Sequence, residues 1–113
     1  MYDKNNIFAK IINKEIPSKL IYEDEHLLAF HDMYPVAPIH VLVIPKGEYT
    51  DYSNFVASAK PETQLHFFKQ VNKLAQDLCG NNFRLCTNNG AMSGQTIFHF
   101  HMHIIGGKQL GGL

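Results

Sequence analysis

The stretch from Thr96 to Gly107, which reads TIFHFHMHIIGG, carries the most information about the fold. Side chains of a β-strand point alternately to the two faces of the sheet. In a strand predicted over 96–105, the three histidines His99, His101 and His103 therefore share one face. The opposite face would pack on the core through Phe98, Phe100, Met102 and Ile104. The two glycines after Ile105 are predicted to end the strand.

Outward from this strand, apolar patterning predicts four more strands, over 20–22, 26–31, 39–44 and 83–87. The segment 39–44 is apolar and β-branched on both faces, so we expect it near the centre of the sheet.

Two helices are predicted, a short one over 5–13 and a long one that begins at Pro61 and ends at Gly80. The long helix would bury a stripe made of Leu65, Phe68, Val71, Ala75 and Leu78. The segment 47–60 is mostly polar and is predicted to be a connection. Short strands with one long helix indicate an α+β fold with an antiparallel sheet, and 113 residues suit one domain over 1–113.

Composition narrows the class of partner. Ten basic and ten acidic residues balance, and no basic run is present, so we expect a small-molecule substrate and no nucleic acid. No apolar segment is long enough to cross a membrane, and we expect no signal peptide. Cys79 and Cys86 form no motif and are expected to be reduced, which favours a cytoplasmic protein.

The histidine stretch allows three interpretations. The first is a solvent-exposed face of the strand, without a function for the histidines. The second is a metal site, and the third is a catalytic site. Three imidazoles at a period of two make the first weak. Neighbouring histidines of one face lie ~6.6 Å apart along the strand, whereas a zinc–nitrogen bond is only about 2 Å, so one ion does not take all three. No nearby Cys or carboxylate motif completes a ligand set. Neutral imidazole is a nucleophile at pH 7, and catalysis is therefore favoured over metal binding.

These residues resemble the His-x-His-x-His-x-x signature of the histidine triad (HIT) family, in which x is apolar. The likeness extends along nearly the whole chain, through IFAKII over 7–12, the AFHD of 29–32 and HVLVIPK over 40–46. Gly94-Gln95-Thr96 before the triad and Gly106-Gly107 after it resemble the Hint-like branch, whose members are purine nucleoside phosphoramidases.

The resemblance implies a five-stranded antiparallel sheet with one long and one short helix, and a homodimer with a ten-stranded sheet. It also implies catalytic roles. His101 would attack the α-phosphorus and form a covalent nucleotidyl intermediate. His99 would orient His101 through its backbone carbonyl. His103 and His40 would contact the phosphate or leaving group, and Thr96 would place a hydroxyl beside the leaving group.

Nucleotide binding is implied for a second set of residues. Asp32 would accept hydrogen bonds from the ribose, and Asn88 with the backbone of Gly94 and Gln95 would bind phosphate and sugar. The base would lie against apolar residues that include Phe8, Ile16, Phe30 and Met33. Family members that bind zinc carry cysteines beside the first-helix Ile-Phe pair. Asn6 and Ala9 stand there in this chain, and we expect neither metal nor cofactor.

The predicted function is hydrolysis of nucleoside 5′-phosphoramidates or related AMP conjugates. Two alternatives stay open, a dinucleoside polyphosphate hydrolase of the fragile-histidine-triad type and a non-catalytic nucleotide-binding protein. Few cations surround the triad in the sequence, and Lys108 is the only one near it, which favours an uncharged amine over a polyphosphate as leaving group.

Overall fold

The structure is a computed structural model that describes residues 1–113. Its strands are β1 (Leu20–Glu23), β2 (Leu27–His31), β3 (Ile39–Pro45), β4 (Phe83–Cys86) and β5 (Met102–Gly106). Its helices are α1 (Ile7–Ile12), α2 (Tyr52–Ser58) and α3 (Pro61–Cys79), with a 3₁₀ turn at Ala91–Ser93. The predicted α+β fold class and five-stranded antiparallel sheet are confirmed.

The sheet has the order β1-β2-β3-β5-β4, so β3 lies in the middle as its sequence predicts. Antiparallel ladders join β3 to β2 on one side and to β5 on the other. Leu42 is paired with His103, which places the side chains of these two residues on the same face of the sheet. That face is also the face of His40, two residues before Leu42.

Each face of the sheet supports its own core. One core lies under α2 and α3 and joins Leu27, Ala29, Val41, Val43 and Ile104 to the helices. The other lies under α1 and joins Phe8 and Ile11 to Leu28, Phe30, Leu42 and Ile44. The alternation of side chains along β2 and β3 separates these two sets, and α1 covers only part of its face. A site can therefore form beside α1, over the residues of β3 and β5 that α1 leaves uncovered.

The polar connection predicted over 47–60 is wrong in part, because α2 lies within it. The side chain of Asp51 accepts a hydrogen bond of 2.7 Å from the amide of Asn54 and so caps the helix. Phe55 is fully buried and stacks on Phe100 at a centroid distance of 4.8 Å. A seven-residue helix with one buried anchor has too little periodicity to be detected in the sequence.

The buried stripe of α3 is also shifted from the predicted one. Val71 and Ala75 are buried as predicted, but Leu65 is 57% exposed, and Phe68 and Leu78 are only partly buried. Phe67 and Leu74 complete the observed stripe. Apolar residues on α3 are numerous enough for two overlapping stripes, and contact of Phe67 with Phe55 and Phe100 selects one of them. Gly80 ends the helix with a positive φ of 66°, as predicted, but its ψ of −137° lies outside the left-handed helical region.

The strand predicted over 96–105 is shorter than expected, since the ladder begins only at Met102. Residues before it leave the sheet, and the amide of Phe100 donates to the carbonyl of Tyr49, 2.7 Å away. Phe100, Met102 and Ile104 still pack on the α3 core as predicted, whereas Phe98 is 41% exposed. β3 continues past Val43, the partner of Met102, but its last two residues pair only with β2, because the chain before Met102 has turned toward Tyr49.

No helix in the structure combines the length and the apolar character that crossing a bilayer requires.

Candidate active site

A cavity of about 910 Å³ lies beside α1, over the face of the sheet that carries His40 and His103. Its wall is formed by Ile7, Phe8, Ile11, Pro17, Ser18, Lys19, Phe30, His31, Asp32, Met33, Tyr34, Pro35, Pro38, His40, Leu42, Asn88, Gly94, Thr96, Ile97, His101 and His103. One part of this wall is apolar and another part holds titratable groups. This division is typical of a site for an amphiphilic small molecule.

Most of the predicted site residues meet in this wall. They are His40, His101, His103, Thr96, Asp32, Met33, Asn88, Gly94, Phe8 and Phe30. Three predicted residues do not line the cavity, namely His99, Gln95 and Ile16. Ile16 packs instead against the core under α1, so its predicted place beside the base is not supported by the geometry.

His99 is completely buried behind the cavity. Its Nε2 lies 2.7 Å from the carbonyl of Pro45, which is an acceptor only, so Nε2 carries the proton. Its Nδ1 then accepts from the hydroxyl of Tyr2, 2.5 Å away. Burial, followed by the nearby imidazole of His101, lowers the pKa of His99 to about 4. His99 is therefore a neutral ring with both nitrogens occupied.

His101 is held from behind by the carbonyl of His99. Its Nδ1 lies 2.7 Å from that oxygen, so the neutral ring carries its proton on Nδ1 and a lone pair on Nε2. The ring of Phe8 packs edge-on against it at a centroid distance of 4.9 Å. Nε2 of His101 has no hydrogen-bond partner. Because every buried side-chain nitrogen in the structure has one, Nε2 of His101 is not among the buried atoms. This nitrogen is therefore accessible from the cavity.

The pKa values of the triad favour neutral rings. Burial lowers the pKa of His101, against the opposing effects of the His99 carbonyl and of Asp32. Burial also lowers the pKa of His103 to about 4, with further contributions from His101 and His40. At pH 7 the lone pair of His101 is consequently not occupied by a proton.

His40 connects the sheet to the loop 32–38. Its Nδ1 lies 3.1 Å from the amide nitrogen of Val36, and its Nε2 lies 2.9 Å from Nδ1 of His103. A carboxylate oxygen of Asp32 is 3.5 Å from the same Nε2. The side chain of Asp32 also accepts from the amide of Tyr34 at 2.7 Å, which orders the start of the loop.

Asp32, His40 and His103 offer one ligand atom each within 4.8 Å of one another, close enough to hold a metal ion. The expectation from the sequence that no carboxylate completes a ligand set near the triad is therefore wrong. The tertiary fold brings Asp32 from the end of β2, a position with no motif-like spacing to the triad. The amide of Val36 opposes metal binding, because a metal on Nε2 of His40 requires the remaining ring proton to sit on Nδ1, where the amide hydrogen already points.

The HIT domain family model matches residues 13–110 of this chain. The chain belongs to the histidine triad family.

Relatives of similar length support the assignment. A HIT-like protein of Rickettsia prowazekii is 53% identical over 115 residues, which cover 100% of this chain and 96% of the relative. The structure of a histidine triad protein from Clostridium difficile has a TM-score of 0.87 and 38% identity, with 100% and 99% of the two chains covered. A structure described as a HIT family hydrolase from Clostridium thermocellum has a TM-score of 0.84 and 39% identity, with 98% and 97% covered.

Within this HIT domain, Gln95 is buried and its side chain braces the loop before the triad. The side-chain oxygen accepts from the amide of Gly90 at 2.8 Å, and the side-chain nitrogen donates to the carbonyls of Thr50 and Ile97. The sequence indicated only a role for its backbone. The side chain holds the loop that carries Asn88, Gly94 and Thr96 against the rest of the molecule.

Among the residues that the sequence did not indicate, Tyr2 and Lys19 bear most on the chemistry of the site. Tyr2 reaches His99 across a separation of 97 residues, and no pattern in the chain indicates this contact. Lys19 lines the cavity, although the triad appeared to have Lys108 as its only nearby cation. Lys19 comes from the segment before β1, which pairs with β2 next to Phe30.

Proposed function

We propose that this chain hydrolyses nucleoside 5′-phosphoramidates, such as adenosine or guanosine monophosphoramidate, or related AMP conjugates. The observation that carries the proposal is the ring of His101, whose proton is held on Nδ1 by the His99 carbonyl while the lone pair of Nε2 is open to the cavity. That arrangement suits a nucleophile with a fixed tautomer. The similar Clostridium thermocellum protein is called a HIT family hydrolase, which agrees with this proposal.

The reaction has two steps. In the first, Nε2 of His101 forms a bond to the α-phosphorus, the phosphorus–nitrogen bond to the amine breaks, and the amine leaves after taking a proton. That proton comes from water, and His103 and the hydroxyl of Thr96, which line the same cavity, are proposed to hydrogen-bond the leaving group. In the second step water attacks the phosphorus and returns one proton to the solvent, the bond to His101 breaks, and the nucleoside monophosphate is released with the imidazole restored.

The remaining wall residues are proposed to hold the nucleotide. Asp32 accepts from ribose hydroxyls, as an ionised carboxylate does well. Asn88 and the backbone of Gly94 and Gln95 contact phosphate and sugar. The base lies against the apolar part of the wall, with Phe8, Phe30 and Met33.

The direct test is His101→Ala assayed on adenosine 5′-phosphoramidate. Loss of nearly all turnover, with nucleotide binding and folding kept, supports the covalent mechanism. The matched control is His26→Ala, because His26 is an exposed histidine outside the cavity wall. Turnover at the wild-type rate in His101→Ala would exclude the mechanism. Wild-type protein that binds AMP tightly but releases no product would instead indicate a non-catalytic nucleotide-binding protein.

One observation favours hydrolysis of dinucleoside polyphosphates as a second candidate function. Lys19 in the cavity wall supplies a positive charge that a polyphosphate leaving group could use. We expect kcat/KM for adenosine phosphoramidate to exceed that for diadenosine tetraphosphate by at least tenfold, about 1.4 kcal/mol of transition-state preference. Equal or reversed values, lowered for the tetraphosphate alone by Lys19→Ala, would establish the second candidate.

No metal or cofactor is needed in this proposal, because an imidazole attacks phosphorus without a Lewis acid. The test is activity after exhaustive treatment with a chelator. Undiminished turnover is expected, and loss that only added zinc restores would show that the cluster of Asp32, His40 and His103 binds a metal required for activity.

We further propose a homodimer with a ten-stranded sheet. From the sequence, Phe67 and Leu74 of α3, outside the predicted stripe, could face a partner, but both are buried in the core of the chain itself, 1% and 6% exposed. The support that remains is the sheet order, which leaves β1 and β4 with free edges, and the exposed Leu85 on β4. A monomer by light scattering at micromolar concentration would contradict the proposal.

A further inference from the structure

We propose that the main-chain amide of Val36, acting through His40, holds His103 in the tautomer that presents an N–H to the cavity, opposite to the tautomer of His101. Val36 and His40 are thereby positioning residues. The use of this N–H as a hydrogen-bond donor to the phosphate or leaving group rests on the proposed function, whereas the tautomers themselves do not.

The amide of Val36 determines the tautomer of His40. Its amide nitrogen lies 3.1 Å from Nδ1 of His40, and a backbone amide only donates, so this nitrogen of His40 must be an acceptor without a proton. A doubly protonated His40 would set two donors against each other at this contact. The proton of the His40 ring therefore lies on Nε2. The carboxylate of Asp32, 3.5 Å from that Nε2, also favours a proton there.

The second step passes from His40 to His103. Nε2 of His40 lies 2.9 Å from Nδ1 of His103, and since the former carries the proton it is the donor. Nδ1 of His103 is then the acceptor, and a neutral His103 keeps its only proton on Nε2. Nε2 of His103 has no partner in the protein, while every buried side-chain nitrogen has one, so it is accessible from the cavity that His103 lines.

The result is a pair of neighbouring rings with opposite functions. His101 and His103 lie 5.3 Å apart between ring centroids. The His99 carbonyl leaves a lone pair on Nε2 of His101, and the Val36 amide leaves an N–H on Nε2 of His103. One ring is thus set to attack and its neighbour to donate, before any substrate binds.

This assignment changes the role that family resemblance implies for His40. Both of its ring nitrogens are already engaged, and its side chain is 6% exposed. Contact of His40 with a phosphate would break one of these two hydrogen bonds. His40 instead acts on the chemistry through His103. It also links the tautomer of His103 to the loop 32–38, since the backbone carbonyl of His40 accepts a hydrogen bond from the amide of Asp32 at the start of that loop.

The tautomers are measurable by two-bond ¹⁵N–¹H correlation spectra of the histidine rings in the free protein at pH 7.5. We expect unprotonated Nδ1 and protonated Nε2 in His40 and His103, and the reverse in His101. A proton on Nδ1 of either His40 or His103 would overturn the proposal. This spectrum requires no substrate, so its failure is distinct from failure of the proposed function, which the phosphoramidate assay alone decides.

A pair of variants tests the origin of the tautomer. Val36 is 62% exposed, so replacing its side chain disturbs little packing. Val36→Pro removes the amide hydrogen, and Val36→Ala keeps it. We expect Val36→Ala to retain the wild-type ring spectrum, while Val36→Pro shows mixed tautomers at His40 and His103 and at least tenfold lower kcat. A wild-type spectrum in folded Val36→Pro would overturn the role of the amide. If that variant does not fold, the wild-type spectrum still decides whether the three rings have the inferred tautomers.

Discussion

Acid should destabilise this protein well above the range in which carboxylates titrate, and His99 should account for a defined part of the loss. The ring of His99 is fully buried, and burial lowers its pKa from 6.5 to about 4. The unfolded chain therefore binds a proton at His99 below pH 6.5, while the folded protein resists it until about pH 4. Stability from this residue is complete above pH 6.5 and is lost as the pH falls toward 4.

The size of the effect follows from the two pKa values. Between pH 7 and pH 5 the unfolded state gains about 2 kcal/mol relative to the folded state from His99 alone, and the full loss approaches about 3 kcal/mol near pH 4. A loss of this size is a large fraction of the stability of a small protein, which is about 5–15 kcal/mol. Other groups whose pKa is lowered in the folded protein, including His101 and His103, add to this loss of stability in acid.

Urea denaturation at pH 7 and pH 5 isolates the contribution of His99. The comparison is between the wild type and His99→Asn, which has no titrating group at this position. The variant should be less stable at both pH values, but its loss between them should be smaller than that of the wild type by about 2 kcal/mol. A proton NMR titration of the wild-type His99 ring, expected to show no transition above pH 5, checks the same quantity without a variant. Equal pH dependence of the two proteins, or a His99 transition near pH 6.5, would refute the reasoning.

Three further changes have defined outcomes. Tyr2→Phe removes the donor to the buried Nδ1 of His99 and should lower the unfolding free energy by about 1–3 kcal/mol in urea, whereas Tyr34→Phe, an exposed control, should change little. Gln95→Ala leaves the amide of Gly90 without its partner and should make that loop more susceptible to limited proteolysis, a result that unchanged cleavage would contradict. Gly106→Ala places a methyl group 2.7 Å from the sulfur of Cys79 and should lower the melting temperature, with partial recovery in the double variant with Cys79→Ala.

The sheet was largely predictable because its signals are local. The segment 39–44 has apolar side chains at every position except His40, and such a strand is stable only with neighbours on both sides and cores on both faces. The start of α3 was also predictable from the sequence, since Pro61 suits the first turn of a helix and this signal does not depend on a tertiary contact. The motif of the histidine strand pointed to the family for a similar reason, because its spacing is carried by consecutive residues.

Other elements depended on contacts that a local pattern does not contain. The helix α2 is held to the core by Phe55, and this packing depends on Phe100, which lies beneath it and is distant in the sequence. The same aromatic cluster selects Phe67 for the core in place of Leu65. The late start of β5, at Met102, accompanies the hydrogen bond from the amide of Phe100 to the carbonyl of Tyr49, a contact that no residue of the histidine stretch indicates.

Chain order thus sufficed for the fold class, the central strand and the identity of the catalytic candidates, since alternation and motif spacing are properties of neighbouring residues. The protonation pattern of the site was decided only in three dimensions. His40 and His103 are 63 residues apart in the chain and His99 lies 97 residues from Tyr2, yet each of these pairs shares a hydrogen bond. A histidine has two possible neutral tautomers, and only the donor or acceptor that folding places beside the ring selects between them.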